Sequence, residues 1–506
     1  MTRRSRRRSL ALLSTMALVL PLAVTGQALA DPNNNNNPAK LTKAVTLNGV
    51  LRHLDALQAI ANANGDRAAG RPGYQASVNY VVSRLNAAGY SPTVQAFDFT
   101  YLEDNSRLDV VAPTPISYRK DLDFTYTDFV PRAEGDVTGA LQAVDLVLPP
   151  TPAPSSSSGC EAADFAGFVP GKIALIQRGT CNFTVKVANA QAAGAVAVVL
   201  FNEGQTGRTG LVIPTGDATG LTIPVLTATF DVGNQLAALP SPVVRVKVEV
   251  VTDTRTAWNV LAESQYGNPN NVVMAGAHLD SVQNGPGIND NGSGSAALLE
   301  TAIQMSKVKT NSKVRFAWWG AEEAGLLGSD HYVATLPQAD QDRIALYLNF
   351  DMVGSPNYFF GIYDGDDSSG TAPVPIPPGS AQIEDVFEKF YAGRGLPSED
   401  TEFSGRSDYG PFIAVNIPAG GLFTGAEDIK TAEQASRYGG TAGVAFDVCY
   451  HQPCDNRSNL NLTALDVNSD AIAFAVITFA FDTSTVNGVR APGKSHGRAP
   501  QRGVPS

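Results

Sequence analysis

The sequence predicts an α/β protein: a three-layer sandwich with a central mixed sheet flanked by helices, carrying an inserted, mostly-β domain. Three observations lead there. From Thr256 onward, apolar strand-like runs alternate with helical patterns, as in a layered α/β domain. Between about Arg107 and Val251 the composition shifts to proline clusters (Pro149, Pro150, Pro152, Pro154), a serine run and short β-branched segments. After Thr256 the strands end in turn at His278, at Glu322-Glu323, at Asp351 and near Phe423. The carboxyl ends of strands in an open α/β sheet form the crevice where ligands bind.

Taken in order, the chain opens with a basic stretch, MTRRSRRR, then the apolar SLALLSTMALVLPLAV, then Ala28-Leu29-Ala30. Residues 1–30 therefore read as a secretory signal peptide cleaved after Ala30, and a secreted location is expected. Residues 31–42, with five consecutive asparagines, read as a mobile linker or short pro-segment. Two amphipathic helices follow, through LRHLDALQAIANAN and YQASVNYVVSRLNAAG, separated by Gly65, Gly70, Pro72 and Gly73. His53, in the first of them, reads as a surface or packing residue. VQAFDFTYLED has strand character, so residues 43–106 form the first part of the main domain. Residues 107–251 are the insert, and residues 252–482 complete the main domain. Helices are expected at Ser293–Ser306, Gly325–Ala334, Ala381–Ala392 and Ala464–Phe481. Residues 483–506, Gly/Pro/Ser-rich with basic and no acidic side chains, read as a disordered or processed tail.

Composition narrows the partners. The net charge is −11, and removing the five leader arginines takes it to −16, which argues against nucleic acid and anionic membrane. No run after the leader reads as apolar and long enough to span a membrane, and a monomer is expected. Four cysteines in an exported chain suggest two disulfides. Cys160–Cys181 and Cys449–Cys454 are the expected pairs because each lies close in sequence. Free buried thiols are the alternative, and neither pair has zinc-finger spacing.

The stretch VVMAGAHLDSVQNGPGINDNGSGSAALLE organises the chain. A buried strand ends at His278 and Asp280, a Gly-rich loop follows, and Asp290 precedes a helix. Borderline ions such as zinc take imidazole and carboxylate ligands, and a pair of ions can share one bridging carboxylate. Two histidines (His278, His451) and three carboxylates (Asp290, Glu323, Asp351) suit such a pair. Each has a plainer alternative. Asp290 could cap the next helix, Glu322 and Glu323 could be a solvated pair, and either histidine could be structural. An acid closing the apolar run LYLNF is harder to dismiss, because burying it is costly unless it is paired or metal-bound. The joint pattern points to a metal centre.

The motifs AHLDSV, GINDNGSGSAALLE, WWGAEEAGLLGS, YLNFDMVGS, GRSDYGPF, GGLFTGAED and CYHQPCDN resemble those of the exported two-zinc aminopeptidases. Within the insert, IALIQRGTCNF followed by AGAVAVVLFN resembles the protease-associated domain. The first resemblance implies two zinc ions per chain, with His278 and Asp351 on one, Glu323 and His451 on the other, and Asp290 bridging. It implies that Asp280 orients the ligand histidine and that Glu322 is the general base, the two glutamates facing opposite ways as neighbours in an extended strand end do. Tyr450 is implied as hydrogen-bond donor to the oxyanion, the Arg406 carbonyl as a support for the substrate's amine, and Phe423 as part of an apolar pocket. A cis Asp290–Asn291 peptide and a possible calcium site at Asp466 and Asp470 belong to the same likeness. The substrates implied are peptide or protein N-termini, with large apolar first residues preferred. Two rivals stay open: a carboxypeptidase or glutaminyl-cyclase-like enzyme on the same fold, and a catalytically silent binding protein. The first needs a cationic clamp, for which Arg406 is the motif-borne candidate; the second is expected to lack a ligand.

Overall fold

The computed structural model describes residues 35–489, so the leader and the chain beyond 489 lie outside the described residues. The described chain divides into two compact units, one of residues 97–257 and the other of the segments on either side. The strands Thr93–Asp104 and Val250–Glu263 run across the two dividing points.

The larger unit is built on an eight-stranded mixed sheet. At its centre four parallel strands lie in the order Ser312–Trp319, Asn268–His278, Ile344–Phe350, Ala419–Phe423. These strands are nearly continuous apolar runs, as expected where both faces are covered. One face packs Tyr332 and Val333 of the helix Leu327–Thr335 and Phe412 of Gly410–Ala414 against Met274, Trp319 and Tyr347. Helices Leu47–Asn64, Pro72–Ala88, Gly294–Met305 and Leu462–Phe481 pack with one another as a further layer. Three layers result, with both expected N-terminal helices and all four later ones present within a few residues of their expected bounds. His53 is a packing residue: it is buried, with Nδ1 2.7 Å from the Tyr80 hydroxyl and Nε2 3.2 Å from Glu300 Oε2.

Three expectations need correction. Asn35 to Thr42 is not a mobile linker: Asn37 caps a helix Pro38–Ala44, whose Leu41 and Ala44 are buried, and Asn35 is buried with its amide donating to the Gln304 carbonyl. The asparagine run hides this because its last member is an N-cap, a position asparagine favours. The chain from Thr483 does not at once become a tail either. Thr483 is buried, Asn271 donates to its hydroxyl, and a short helix Ser484–Asn487 follows. Finally, the helix Leu462–Phe481 is long and apolar enough by composition to cross a membrane. It is apolar nearly all round because it is a core helix, with most of its surface buried by protein.

The insert has its own eight-stranded sheet, in which Ile173–Gln177, Ala197–Phe201 and Val225–Ala228 are parallel neighbours. The expected strand, helix, strand order is realised by Ile173–Gln177, Phe183–Ala192 and Ala197–Phe201. Apolar clusters cover both faces of this sheet. The Cys160–Cys181 disulfide is formed in this unit, and Cys449–Cys454 in the larger one.

Candidate active site

Register places the site. His278 is the last residue of its strand and pairs with Trp319, the last of the next; Asp351 directly follows Phe350. The parallel strands therefore deliver His278, Asp351 and the Gly320–Glu323 turn to one sheet edge. The helix start at Gly294 abuts the same edge, and a Cβ there would overlap the Phe350 carbonyl, so only glycine allows the approach. Asn291 fastens this corner: its Nδ2 donates to Phe350 O (2.9 Å), and its Oδ1 accepts from Gly294 N (2.9 Å) and Met352 N (3.3 Å). The Asp290–Asn291 peptide is cis.

All five metal-ligand candidates meet here. His278 Nε2 lies 3.2 Å from Asp290 Oδ1 and 3.2 Å from Asp351 Oδ1. His451 Nε2 lies 3.1 Å from Asp290 Oδ2 and 3.1 Å from Glu323 Oε2. Asp290 thus turns one oxygen to each histidine. It does not cap the following helix, whose N-cap is Ser293. Glu322 and Glu323 are not a solvated pair, since their side chains are only 12% and 10% exposed. His278 is buried, whereas His451 sits at φ +56° in the Cys449–Cys454 loop with its ring partly open to solvent.

Glu322 and Glu323 do diverge, but not by strand alternation. The strand ends at Trp319, Ala321 has φ +55°, and Gly325 and Leu326 both donate to the Glu322 carbonyl, so the pair opens a tight turn. Asp280 anchors that turn. Its two oxygens accept from Glu322 N and Glu323 N, each at 3.3 Å, while Oδ1 lies 3.7 Å from His278 Nδ1. Asp280 thereby braces the backbone of both glutamates with its carboxylate, while its backbone carbonyl lies 3.2 Å from His278 Nδ1.

The electrostatics favour positive charge at the centre. Burial opposes protonation of His278, yet Asp351 and Glu322 outweigh it and raise its pKa well above the ordinary imidazole value. Burial likewise opposes charge on His451, but Glu323 and Asp290 raise it to about 11. Burial raises Glu322 well above the usual carboxylate range, helped by Asp408 and Asp351. Glu323 Oε1 is buried with no hydrogen-bond partner. An orphaned carboxylate oxygen beside two imidazoles and two more carboxylates is the donor set of a borderline divalent cation.

The centre opens into a cleft of about 150 Å³ whose lining includes Met352, Tyr363, Tyr409, Phe423, Arg406 and Tyr450. The Tyr450 ring stacks on His451 with centroids 3.8 Å apart, and burial, then Asp290 and Glu323, raise its pKa, so the phenol keeps its proton. The Arg406 guanidinium is exposed and points to Glu427, 4.0 Å away. Asp466 and Asp470 lie apart from the cleft lining. Asp470 accepts from Arg394 (2.6 Å), and Asp466 is exposed.

Sequence reasoning missed several supports. Ser407 donates to Asp351 Oδ2 (2.7 Å) and accepts from Asn349 Nδ2 (2.9 Å); Asn349 in turn accepts from the Tyr347 hydroxyl (3.1 Å). Next to it, Asp408 is fully buried with both oxygens unpartnered, and burial pushes its carboxyl up to about 7. Both lie in GRSDYGPF, whose polar pair before an aromatic residue was the available signal.

Comparison with known proteins agrees. Residues 259–476 match the model of peptidase family M28, and residues 141–236 match the PA domain. The chain is 50% identical over 457 residues to an aminopeptidase of Pseudomonas aeruginosa (strain UCBPP-PA14), covering 89% of this chain and 84% of that protein. It is 39% identical to leucine aminopeptidase 2 of Trichophyton tonsurans, covering 92% and 91%. In fold it is similar to BSAP, a zinc aminopeptidase from Bacillus subtilis, with TM-score 0.58, 24% identity and coverage of 88% and 98%. The chain belongs to peptidase family M28, as a peptide-bond hydrolase of metallo type with a PA domain set within its sequence.

Proposed function

We propose that the protein is a two-zinc aminopeptidase, hydrolysing the first peptide bond of chains with a free N-terminus. The observation that carries the reading is Asp290, with one oxygen 3.2 Å from His278 and the other 3.1 Å from His451. His278 and Asp351 would hold one ion, Glu323 and His451 the other, and Asp290 both. When bound, the ions polarise the scissile carbonyl and make a bound water more acidic.

The remaining work falls to the chain. Glu322, whose burial makes its carboxylate a stronger base than an exposed one, takes the water's proton in its ionised form and delivers it to the leaving amine. The Tyr450 phenol donates to the developing oxyanion. Glu322, Asp351 and the Arg406 carbonyl receive the substrate's ammonium, which restricts cleavage to the first bond. Phe423 with Met352, Tyr363 and Tyr409 offers an apolar wall, supporting a preference for large apolar first residues such as leucine. The Arg406 guanidinium lies 4.0 Å from Glu427, which lines the same cleft, so an acid already offsets its charge, which disfavours a clamp for a terminal carboxylate. At Asp470, Arg394 already supplies a cation, so an arginine-neutralised Asp470 is favoured over a calcium ion shared with Asp466. The basic-apolar leader and two disulfides support a secreted enzyme, and we take it to act as a monomer.

The test is release of p-nitroaniline from leucine-p-nitroanilide and its N-acetylated twin. The reading expects cleavage of the free-amine substrate alone, lost on chelation and restored by zinc. Equal cleavage of both substrates removes it.

A further inference from the structure

Asp290 stands twelve residues beyond His278, at the far end of a loop with no strand partner. The loop is nevertheless held from two sides by buried side chains. On its carbonyl side, the fully buried Arg67 donates Nε to Pro286 O (2.9 Å), Nη2 to Gly287 O (2.5 Å) and Nη1 to Leu279 O. On its N–H side, Asp455, 2% exposed, accepts Asn289 N at Oδ1 (2.8 Å) and Asp290 N at Oδ2 (3.0 Å), and its own carbonyl accepts Ile288 N (3.0 Å).

A second buried carboxylate extends the grip. Asp447 accepts Asn289 Nδ2 (2.7 Å) and Cys449 N (2.8 Å), and Asn459 Nδ2 reaches both Asp447 (2.9 Å) and Asp455 (3.1 Å). Asp447 and Asp455 flank His451 in sequence and converge on Asn289-Asp290 in space. The same two carboxylates therefore fix the ligand in the disulfide loop and the ligand between the histidines.

Buried charges are costly, and replacing them by apolar side chains often leaves stability unharmed or improved. Here both side chains spend their hydrogen bonds on neutral groups, and their shared target is the short segment that aims Asp290. A bridging carboxylate has to present both oxygens at once. If Asn289 and Asp290 lost the grip on their N–H groups, turning the side chain toward one histidine would withdraw it from the other.

We propose that Arg67 and Asp455 are positioning residues that set Asp290 between His278 and His451, and so set the spacing of the two metal ions. The proposal rests on the two-metal reading above. Supporting partners around metal ligands typically change affinity by about 10–100-fold.

The test is calorimetric zinc titration of the full chain after stripping with chelator, alongside thermal unfolding of the stripped protein and kinetics on leucine-p-nitroanilide. Wild type is expected to take up two ions. Asp455→Asn, which turns one acceptor into a donor facing an N–H, is expected to weaken the second uptake step by about 10–100-fold and to lower kcat with KM nearly unchanged. Arg67→Lys keeps the buried charge but loses the fork, and is expected to show a smaller weakening of the same step; it serves should Asp455→Asn not fold. Zinc affinities equal to wild type in the folded variants, with only a lowered unfolding temperature, would overturn the proposal and leave the two-metal reading intact. Fewer than two ions in wild type would remove both.

Discussion

Among the described residues, groups that bring their ligand atoms close enough to share a cation occur at two places: in the cleft, as His278 with Asp290 and Glu323 and as His278 with Glu322 and Asp351, and at the trio Asp364, Glu384 and Asp400. In the trio the buried acids are already engaged. Glu384 accepts from Gly365 N (2.9 Å) and Asp366 N (3.1 Å), and Asp364 from the backbone of Ser368 (2.9 Å) and Ser369 (3.0 Å). Burial and the neighbouring Asp366 and Asp400 push the Glu384 carboxyl up to about 8, so this group relieves its repulsion by keeping a proton. In the cleft, two imidazoles sit among the acids and Glu323 Oε1 has no partner. Gathered acids must be neutralised; what distinguishes a metal centre is ligand atoms left unclaimed and imidazole nitrogens among them.

The largest test of this contrast is chelation, expected to abolish hydrolysis, while Glu384→Gln leaves it unchanged. Residual hydrolysis in fully stripped protein would break the contrast. Next comes Glu322→Gln, expected to keep both ions and lose about 10²–10⁴-fold in turnover; near-normal turnover would remove Glu322 as the base. His451→Ala is expected to halve the zinc content, measured by elemental analysis, with the fold kept because His451 lies in an exposed loop. Unchanged zinc content would sink its assignment.

The smallest effect concerns pH. The folded-state pKa of Glu384, about 8, lies above its ordinary value of 4.5. Its contribution to stability is therefore complete below about 4.5 and is lost as pH rises through about 8. Glu384→Gln is permanently neutral, so it should unfold about 2 °C higher than wild type at pH 8.5, with the gap closing toward pH 4.5. A gap independent of pH would mean that the proton is not what relieves the trio.

Much of the site was legible because its carriers are strand ends. An apolar run that stops at a polar residue marks both the strand and the edge it reaches, as at His278 and Asp351. The disulfide loop of His451 was legible from two cysteines five apart. What stayed hidden depends on contacts distant in sequence. Arg67 sits in GDRAAGRPG, which reads as an exposed turn, yet it is buried by residues more than two hundred positions away. Asp447 and Asp455 look like ordinary polar residues around a cysteine loop until the fold brings Asn289 to them. The turn at Glu322-Glu323 was misread as strand because the apolar run KVRFAWW gives no sign of the positive φ at Ala321.

The most direct test of the central claim is anomalous diffraction at the zinc absorption edge from crystals of the zinc-loaded protein. The account predicts two peaks, one on each side of the Asp290 carboxylate, and none among Asp364, Glu384 and Asp400. A single peak at the cleft, or a peak at the trio with none at Asp290, would contradict it.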